Sequence, residues 1–385
     1  MIPYGRQQIT QADIDAVVEV LRSDFLTQGS MVPRFEKAVA DYCGAKHAVA
    51  VNSATSALHI ACLALGLGKG DLLWTVPNTF VASANCARYC GADVDFVDID
   101  PDTWNLDVAG LEEKLVVAKC QGRLPKIVVP VHFAGQPTEQ EAIWQLAQTY
   151  GFRVIEDASH AIGATAHGEA VGNCKWSDIT VFSFHPVKIV TTGEGGMALT
   201  KDPELARHMM SLRSHGITRD ASIFEYPDSG PWYYEQQELG FNYRLTDIQA
   251  ALGQSQLTRL DAYVGRRNQL ARRYGEKLAG LPLKLPTIAL GNLSAFHLYV
   301  VRVSPAAQSR ARREVFDALL AGGVNANLHY LPVHLQPYYR KLGFTTGQFP
   351  EAEAHACEAI TLPMYPTLTD AEQDQVIQIM GRLWG

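Results

Sequence analysis

Charge of one sign is what this chain most plainly lacks. Its 33 Lys and Arg stand against 40 Asp and Glu, a formal net charge of −7 over 385 residues, and the basic residues are scattered. Without a basic stripe there is no electrostatic footprint for nucleic acid or an anionic membrane, so an anionic ligand needs a local site. Long apolar runs are missing too. The longest uncharged stretch, Ala48 to Gly68, is interrupted by Asn52, Ser53, Thr55, Ser56 and His59, which argues against a membrane span. The amino-terminal MIPYGRQQIT has no basic segment followed by an apolar one, so no secretory signal is expected. Cysteine occurs seven times, at positions 43, 62, 86, 90, 120, 174 and 357, without a CxxC or paired-ligand spacing. Such a set reads as buried, reduced thiols in the cytoplasm, with no metal ligands expected. Internal repeats and low-complexity tracts are absent as well.

What is present is apolar material for a large core, 47% of the residues, over a length that suggests two domains. Thr10 to Asp13 predicts a capping box opening a helix to about Leu21, and a second helix is expected from Pro33 to a glycine stop at Gly44. Short apolar runs then alternate with helix-period segments. HAVAV (47–51), LLWTV (72–76), VDFV (94–97), KIVVPV (126–131), RVIE (153–156) and ITVFSF (179–184) are strand candidates, and AIWQLAQTYG (142–151) is a typical intervening helix. That alternation predicts a mostly parallel sheet covered on both faces. Beyond Met197 the pattern changes. A long helix from Asp247 to Leu270 is expected as a connector, then a strand at 296–303, a helix at 311–323 and a terminal helix from Ala371 to Trp384. The expected division is a large domain over 1–259 and a smaller α+β domain over 260–385.

The chemistry centres on Lys188, just past the strand DITVFSF and its breaker Pro186. A lysine among Val187, Ile189 and Val190 is disfavoured as a cation and gains as a nucleophile, which makes it a candidate for Schiff-base chemistry, although a surface lysine fits the segment alone equally well. Four other pieces bear on it. The strand-to-helix turn with Ser53, Thr55 and Ser56 offers free amides and hydroxyls to a phosphate, or simple capping. Glu156 and Asp157 end a strand at the carboxyl edge of the sheet, where ligands of open α/β folds bind. Ser183 lies five residues before the lysine. Phe80 follows a strand and can stack on a ring or fill a core. The run TGEGGM (192–197) precedes a strand, so it reads as a tight turn and not as a nucleotide fingerprint. Together these are the groups pyridoxal 5′-phosphate (PLP) requires: an amine, a carboxylate partner for the pyridine nitrogen, a stacking face and a phosphate cup.

In order along the chain, SAT (53–55), TFVAS (79–83), EDASHA (156–161), SFHPVKIVTTGEGGM (183–197), GFNYRLTDIQAA (240–251) and HYLPVHLQPYY (329–339) resemble the DegT/DnrJ/EryC1/StrS family of sugar aminotransferases over nearly the whole chain. The resemblance implies the α/β fold type I, aspartate aminotransferase-like architecture and a cytoplasmic homodimer with shared active sites. Carried over by motif, Lys188 is the Schiff-base lysine and Asp157 the pyridinium partner. Ser183, Ala54 and Thr55 then hold the phosphate, Phe80 lies against the ring, and His160 stands near the phenolic oxygen. Asn242 reaches the neighbouring subunit's phosphate. Tyr4, the Asp24–Phe25–Leu26–Thr27 segment and Asn327–Leu328–His329–Tyr330 are the implied substrate contacts, while His185 and His334 have no assigned role. IPYGRQ, FLTQG, NSATSALHIA and NTFVASANCA are most similar to family members of the pseudaminic acid pathway. They imply L-glutamate as donor and a UDP-linked 4-keto-6-deoxy-N-acetylhexosamine as acceptor, with GDP- or dTDP-linked 4-keto sugars as alternatives. Related C3 dehydratases carry His in place of the lysine, and a non-catalytic sensor of PLP or sugar nucleotide has no use for the full set of catalytic positions.

Overall fold

The computed structural model describes residues 1–226, 230–303 and 311–384. Its centre is a seven-stranded sheet built from β1 (His47–Val51), β2 (Leu72–Thr75), β3 (Asp93–Phe96), β4 (Ile127–Val129), β5 (Arg153–Asp157), β6 (Ile179–Ser183) and β7 (Gly196–Thr200), in the order β1-β7-β6-β5-β4-β2-β3. Every pairing from β3 through β6 is parallel, and β7 alone runs antiparallel to its neighbours β1 and β6. The fold is therefore the α/β, mostly parallel architecture expected of fold type I. Period-two alternation serves both faces of the sheet. In β1 Val49 and Val51 enter one core while Ala48 and Ala50 enter the other, and in β7 Ala198 faces the first while Met197 and Leu199 face the second.

The helices follow from local sequence. Thr10 and Asp13 form the capping box of α1 (Gln11–Leu21), α2 (Met31–Cys43) stops at Gly44 with φ 77°, and α3 (Ala54–Ala64) starts at Ser53, whose Oγ accepts from Ser56 N at 3.1 Å. Helix α2 starts two residues before the expected Pro33 because its cap comes from far away. Asp247 accepts from the amides of Gly29, Met31 and Val32 at 2.7, 2.7 and 3.2 Å.

The expected single helix from Asp247 to Leu270 is two helices, Asp247–Leu257 and Leu260–Leu278. The break falls at Arg259 (φ −110°, ψ 5°), whose Nη2 reaches both oxygens of buried Asp13 at 2.6 and 2.7 Å. The second of these helices places Leu260, Tyr263 and Val264 in the core beside the sheet and Leu270, Ala271, Tyr274 and Leu278 in a third core built with the strands Leu283–Lys284, Tyr299–Val303 and Ala359–Leu362. The amino terminus joins this third core, since Ile2 and Pro3 pair in parallel with Val324 and Asn325. The seven thiols are all free, but Cys120 and Cys357 are exposed, contrary to the expectation of burial, because each lies at the solvent side of a helix end. Among the described residues no helix is long and apolar enough to cross a membrane.

Candidate functional site

The ends of the strands make one cavity of about 420 Å³. Strand β5 delivers Asp157 and, two and three residues on, Ser159 and His160. Strand β6 delivers Ser183, after which the turn from His185 to Lys188 folds back with Lys188 N donating to His185 O at 2.9 Å. The start of α3 contributes Ser53, Ala54 and Thr55, and the turn after β2 contributes Thr79 and Phe80. Tyr4 closes one wall because its segment is tied to Val324 and Asn325, and its carbonyl accepts from Met364 N at 2.9 Å. His297, His329 and Tyr330 close another.

Close backbone approach shapes the floor. A Cβ on Gly196 would stand 2.4 Å from Ala54 N, so only glycine lets β7 meet the amino end of α3. Gly193, at φ 81°, makes the positive-φ turn the glycine run implies. The amides that open α3 are then available to an anion at the positive end of the helix.

Lys188 is half-buried at the pocket and its amine is desolvated, which pushes its pKa from 10.5 down to about 8 against the opposing pull of Asp157. Buried Asp157 is fixed by Ser83 Oγ, which donates to Oδ2 at 2.6 Å, and by Ser159 N, which donates to Oδ1 at 3.1 Å. Its neighbour Glu156 serves a different structure, accepting from His132 at 2.7 Å and Thr180 at 3.2 Å within the protein interior. Burial, and then the charge of Lys188, lower the pKa of His160 well below 6.5 and take His329 down to about 3, so both are neutral at physiological pH. His160 Nε2 shares a 3.1 Å hydrogen bond with the Tyr330 hydroxyl, and burial raises that phenol above its usual range. His160 Nδ1 is enclosed without a partner. Phe80 remains 60% exposed, a bare aromatic face beside the cavity.

Of the sequence candidates, Lys188, Asp157, Ala54, Thr55, Phe80, His160, Ser183, Tyr4, His329 and Tyr330 share this cavity, and so does His185. Others lie elsewhere. Asn327 is held in backbone pairing with Thr361, and Leu328 packs against the first core. Asp24, Phe25, Leu26 and Thr27 are exposed and off the cavity of this chain, because Asp247 anchors their loop through its N–H to Leu26 O at 3.0 Å. Asn242 is exposed and bridges Ser214. His334 is buried against Phe349 and bonded to Glu353 at 3.0 Å, a packing role. Ser83, Ser159 and His297 were missed. Ser83 and Ser159 each lie in a sequence motif, TFVAS and EDASHA, whereas His297 lies in none.

The arrangement fits PLP. An amine of lowered pKa, a carboxylate held with lone pairs to spare, an open aromatic face and a helix amino end that no Cβ obstructs share one space, beside a histidine whose enclosed Nδ1 lacks a partner.

Residues 7–381 match the model of the DegT/DnrJ/EryC1/StrS aminotransferase family. The chain is 40% identical over 380 residues to the spore coat polysaccharide biosynthesis protein SpsC of Bacillus subtilis, covering 98% of this chain and 95% of that protein. It is 38% identical over 372 residues to the GDP-perosamine synthase of Caulobacter vibrioides, covering 96% and 94%. Among solved structures it resembles Helicobacter pylori PseC, an aminotransferase of pseudaminic acid biosynthesis, with a TM-score of 0.89, 30% identity and coverage of 100% and 99%.

Proposed function

This chain belongs to the DegT/DnrJ/EryC1/StrS aminotransferase family of PLP-dependent sugar aminotransferases, and within that chemistry we propose a specific reaction for it. An amino group passes from L-glutamate to C4 of a UDP-linked 4-keto-6-deoxy-N-acetylhexosamine, giving UDP-4-amino-4,6-dideoxy-N-acetyl-β-L-altrosamine. The observation that carries the reading is the desolvated Lys188 amine in one cavity with the fixed Asp157 carboxylate. Likeness to PseC, an aminotransferase of pseudaminic acid biosynthesis, supports a substrate of that pathway, for which the sequence resemblance implies the UDP-sugar. A GDP-linked 4-keto sugar is the second reading, supported by the 38% identity to GDP-perosamine synthase.

Bound PLP supplies an aldehyde that condenses with amines and a ring that takes up the electron pair released at the reacting carbon. Lys188 would hold the aldehyde until the amino donor displaces it, and Asp157 would keep a proton on the ring nitrogen. The amides of Ala54 and Thr55 with Ser183 would bind the phosphate, Phe80 would cover the ring, and His160 would bond the phenolic oxygen. Lys188 Nζ, released, takes the proton from the α-carbon of glutamate. In the second half-reaction the same Nζ delivers a proton to C4 of the sugar. An amine with a pKa near 8 is suited to both tasks. Tyr4, His329 and Tyr330 would line the sugar side. The protein works as a homodimer, with Asn242 and the exposed Asp24–Thr27 loop directed at the neighbouring subunit, and seven free thiols suit a reducing cytoplasm.

The test is a spectral titration of the purified holoprotein. L-glutamate is expected to discharge the visible band. Among UDP-, GDP- and dTDP-linked 4-keto sugars, the UDP-N-acetyl sugar is expected to restore it fastest. Restoration only by a GDP-linked sugar selects the second reading, and no response to glutamate rejects both.

A further inference from the structure

His297 is 4% exposed, lines the cavity, and has its ring centroid 4.5 Å from that of His160. Its Nδ1 is enclosed with no hydrogen-bond partner. An enclosed N–H without an acceptor is costly, so the neutral ring carries its proton on Nε2 and presents a donor to the cavity.

The backbone here is held from three sides. Ala295 N donates to Gly135 O at 3.0 Å, and Phe296, at φ 42°, has its amide tied to Ser294 Oγ at 3.0 Å. Behind them lies Arg267, 1% exposed, whose Nη1 donates to the carbonyls of Phe296, His297 and Met364 at 3.0, 3.1 and 2.9 Å. No carboxylate pairs with this guanidinium among the described residues. A buried cation without a counter-ion favours an anion nearby. Lys188 is the only lysine or arginine among the described residues lining the cavity. A transaminase must nevertheless hold the carboxylates of its amino donor.

We propose that His297 Nε2 hydrogen-bonds a carboxylate of the amino-acid donor, with Arg267 as the positioning residue that fixes the imidazole and lends the site its positive field. This rests on the transaminase reading and adds to it a recognition residue for the donor. Burial, then Lys188, His160, Arg267 and His329, keep the empty ring neutral. A carboxylate against the ring shifts that balance toward the imidazolium, so donor binding takes up protons.

The experiment uses the PLP-loaded protein and two probes, L-glutamate and glutarate, a dicarboxylate with no amine to react. Glutarate binding is followed by calorimetry at pH 7 in phosphate and in Tris, which differ in ionisation enthalpy. Wild type is expected to bind glutarate with proton uptake. His297→Ala should weaken glutarate and raise the half-saturating glutamate concentration by about tenfold or more, the scale of one charge-assisted hydrogen bond, with the half-saturating keto-sugar concentration unchanged. His297→Gln, which keeps a donor but does not titrate, should recover most of the binding without the proton uptake. Half-saturation for glutamate and glutarate within twofold of wild type in His297→Ala overturns the proposal. So does equal weakening toward donor and sugar, or a wild type that does not bind glutarate. Failure of the transaminase reading is read separately, as glutarate binding without any spectral response to glutamate.

Discussion

Lys188 owes its reactivity to where β6 ends. An ammonium that would titrate at 10.5 is brought to about 8 because burial costs the cation more than Asp157 returns. A depressed lysine pKa means the free amine fraction of the unloaded protein grows as pH rises through about 8. The rate at which PLP is captured should therefore climb between pH 7 and 9 and level off beyond, measured by stopped-flow absorbance, whereas an unperturbed lysine would keep climbing past pH 10. Asp157→Asn keeps the shape of the carboxylate but not its charge, and should lower turnover by about 10²–10⁴-fold while leaving the fold intact by circular dichroism. Both residues are legible in the sequence, since Asp157 ends one strand candidate and Lys188 follows the Pro186 that ends another. His297 is not, because a histidine just before a strand acquires meaning only when Arg267 arrives from a distant segment, and Ser83, at the second position of α4 (Ala82–Tyr89), shows its role only once Asp157 lies beside it.

At the scale of elements, local rules predicted the strands of the central sheet and the ends of α1, and failed where a side chain far along the chain decides the outcome. The break between Leu257 and Leu260 belongs to that second kind. Asp13 is fully buried, takes both bonds from Arg259 and another from Gln256 at 2.9 Å, and so clamps α1 to the Asp247–Leu257 helix. Burial alone would raise its pKa, but Arg259, Thr10 and Ser255 outweigh this and hold it below 3.8. A depressed carboxylate stabilises the fold above its unfolded pKa, so the contribution should begin to fade near pH 4 and be gone only once pH has fallen through the lower folded value. Asp13→Asn leaves Arg259 without its counter-ion, and urea unfolding at pH 7 should show a loss of about 3 kcal/mol that shrinks toward pH 3. At the site itself, Gly196→Ala forces a methyl against the amide that opens α3. The expected cost is about 1–3 kcal/mol of stability, together with weaker retention of PLP on dialysis, because the anion-binding helix end is what moves.

For the whole molecule, the chain's likeness to its family runs from residue 7 to 381, and the alternation of apolar runs with helical segments predicts the mostly parallel sheet but not its one antiparallel strand. We propose that the large and small domains divide near residue 260, where the Leu260–Leu278 helix leaves the core beside the sheet for the third core. The amino-terminal strand crosses that division to pair with Val324 and Asn325, which is how Tyr4 reaches the cavity. Nothing in local pattern foretells such a long-range pairing. We propose that the exposed Asp24–Thr27 loop and Asn242 face a second copy of the chain; Asn242→Ala should then loosen PLP retention only in an assembled dimer, which sedimentation and dialysis of the same sample can check together.

The account stands on one covalent attachment. Borohydride reduction of the PLP-loaded protein, followed by proteolysis and mass spectrometry, should find a single pyridoxyl-phosphate mass on the peptide containing Lys188, and none after Lys188→Ala. A label distributed over other lysines, or absent from that peptide, would contradict it.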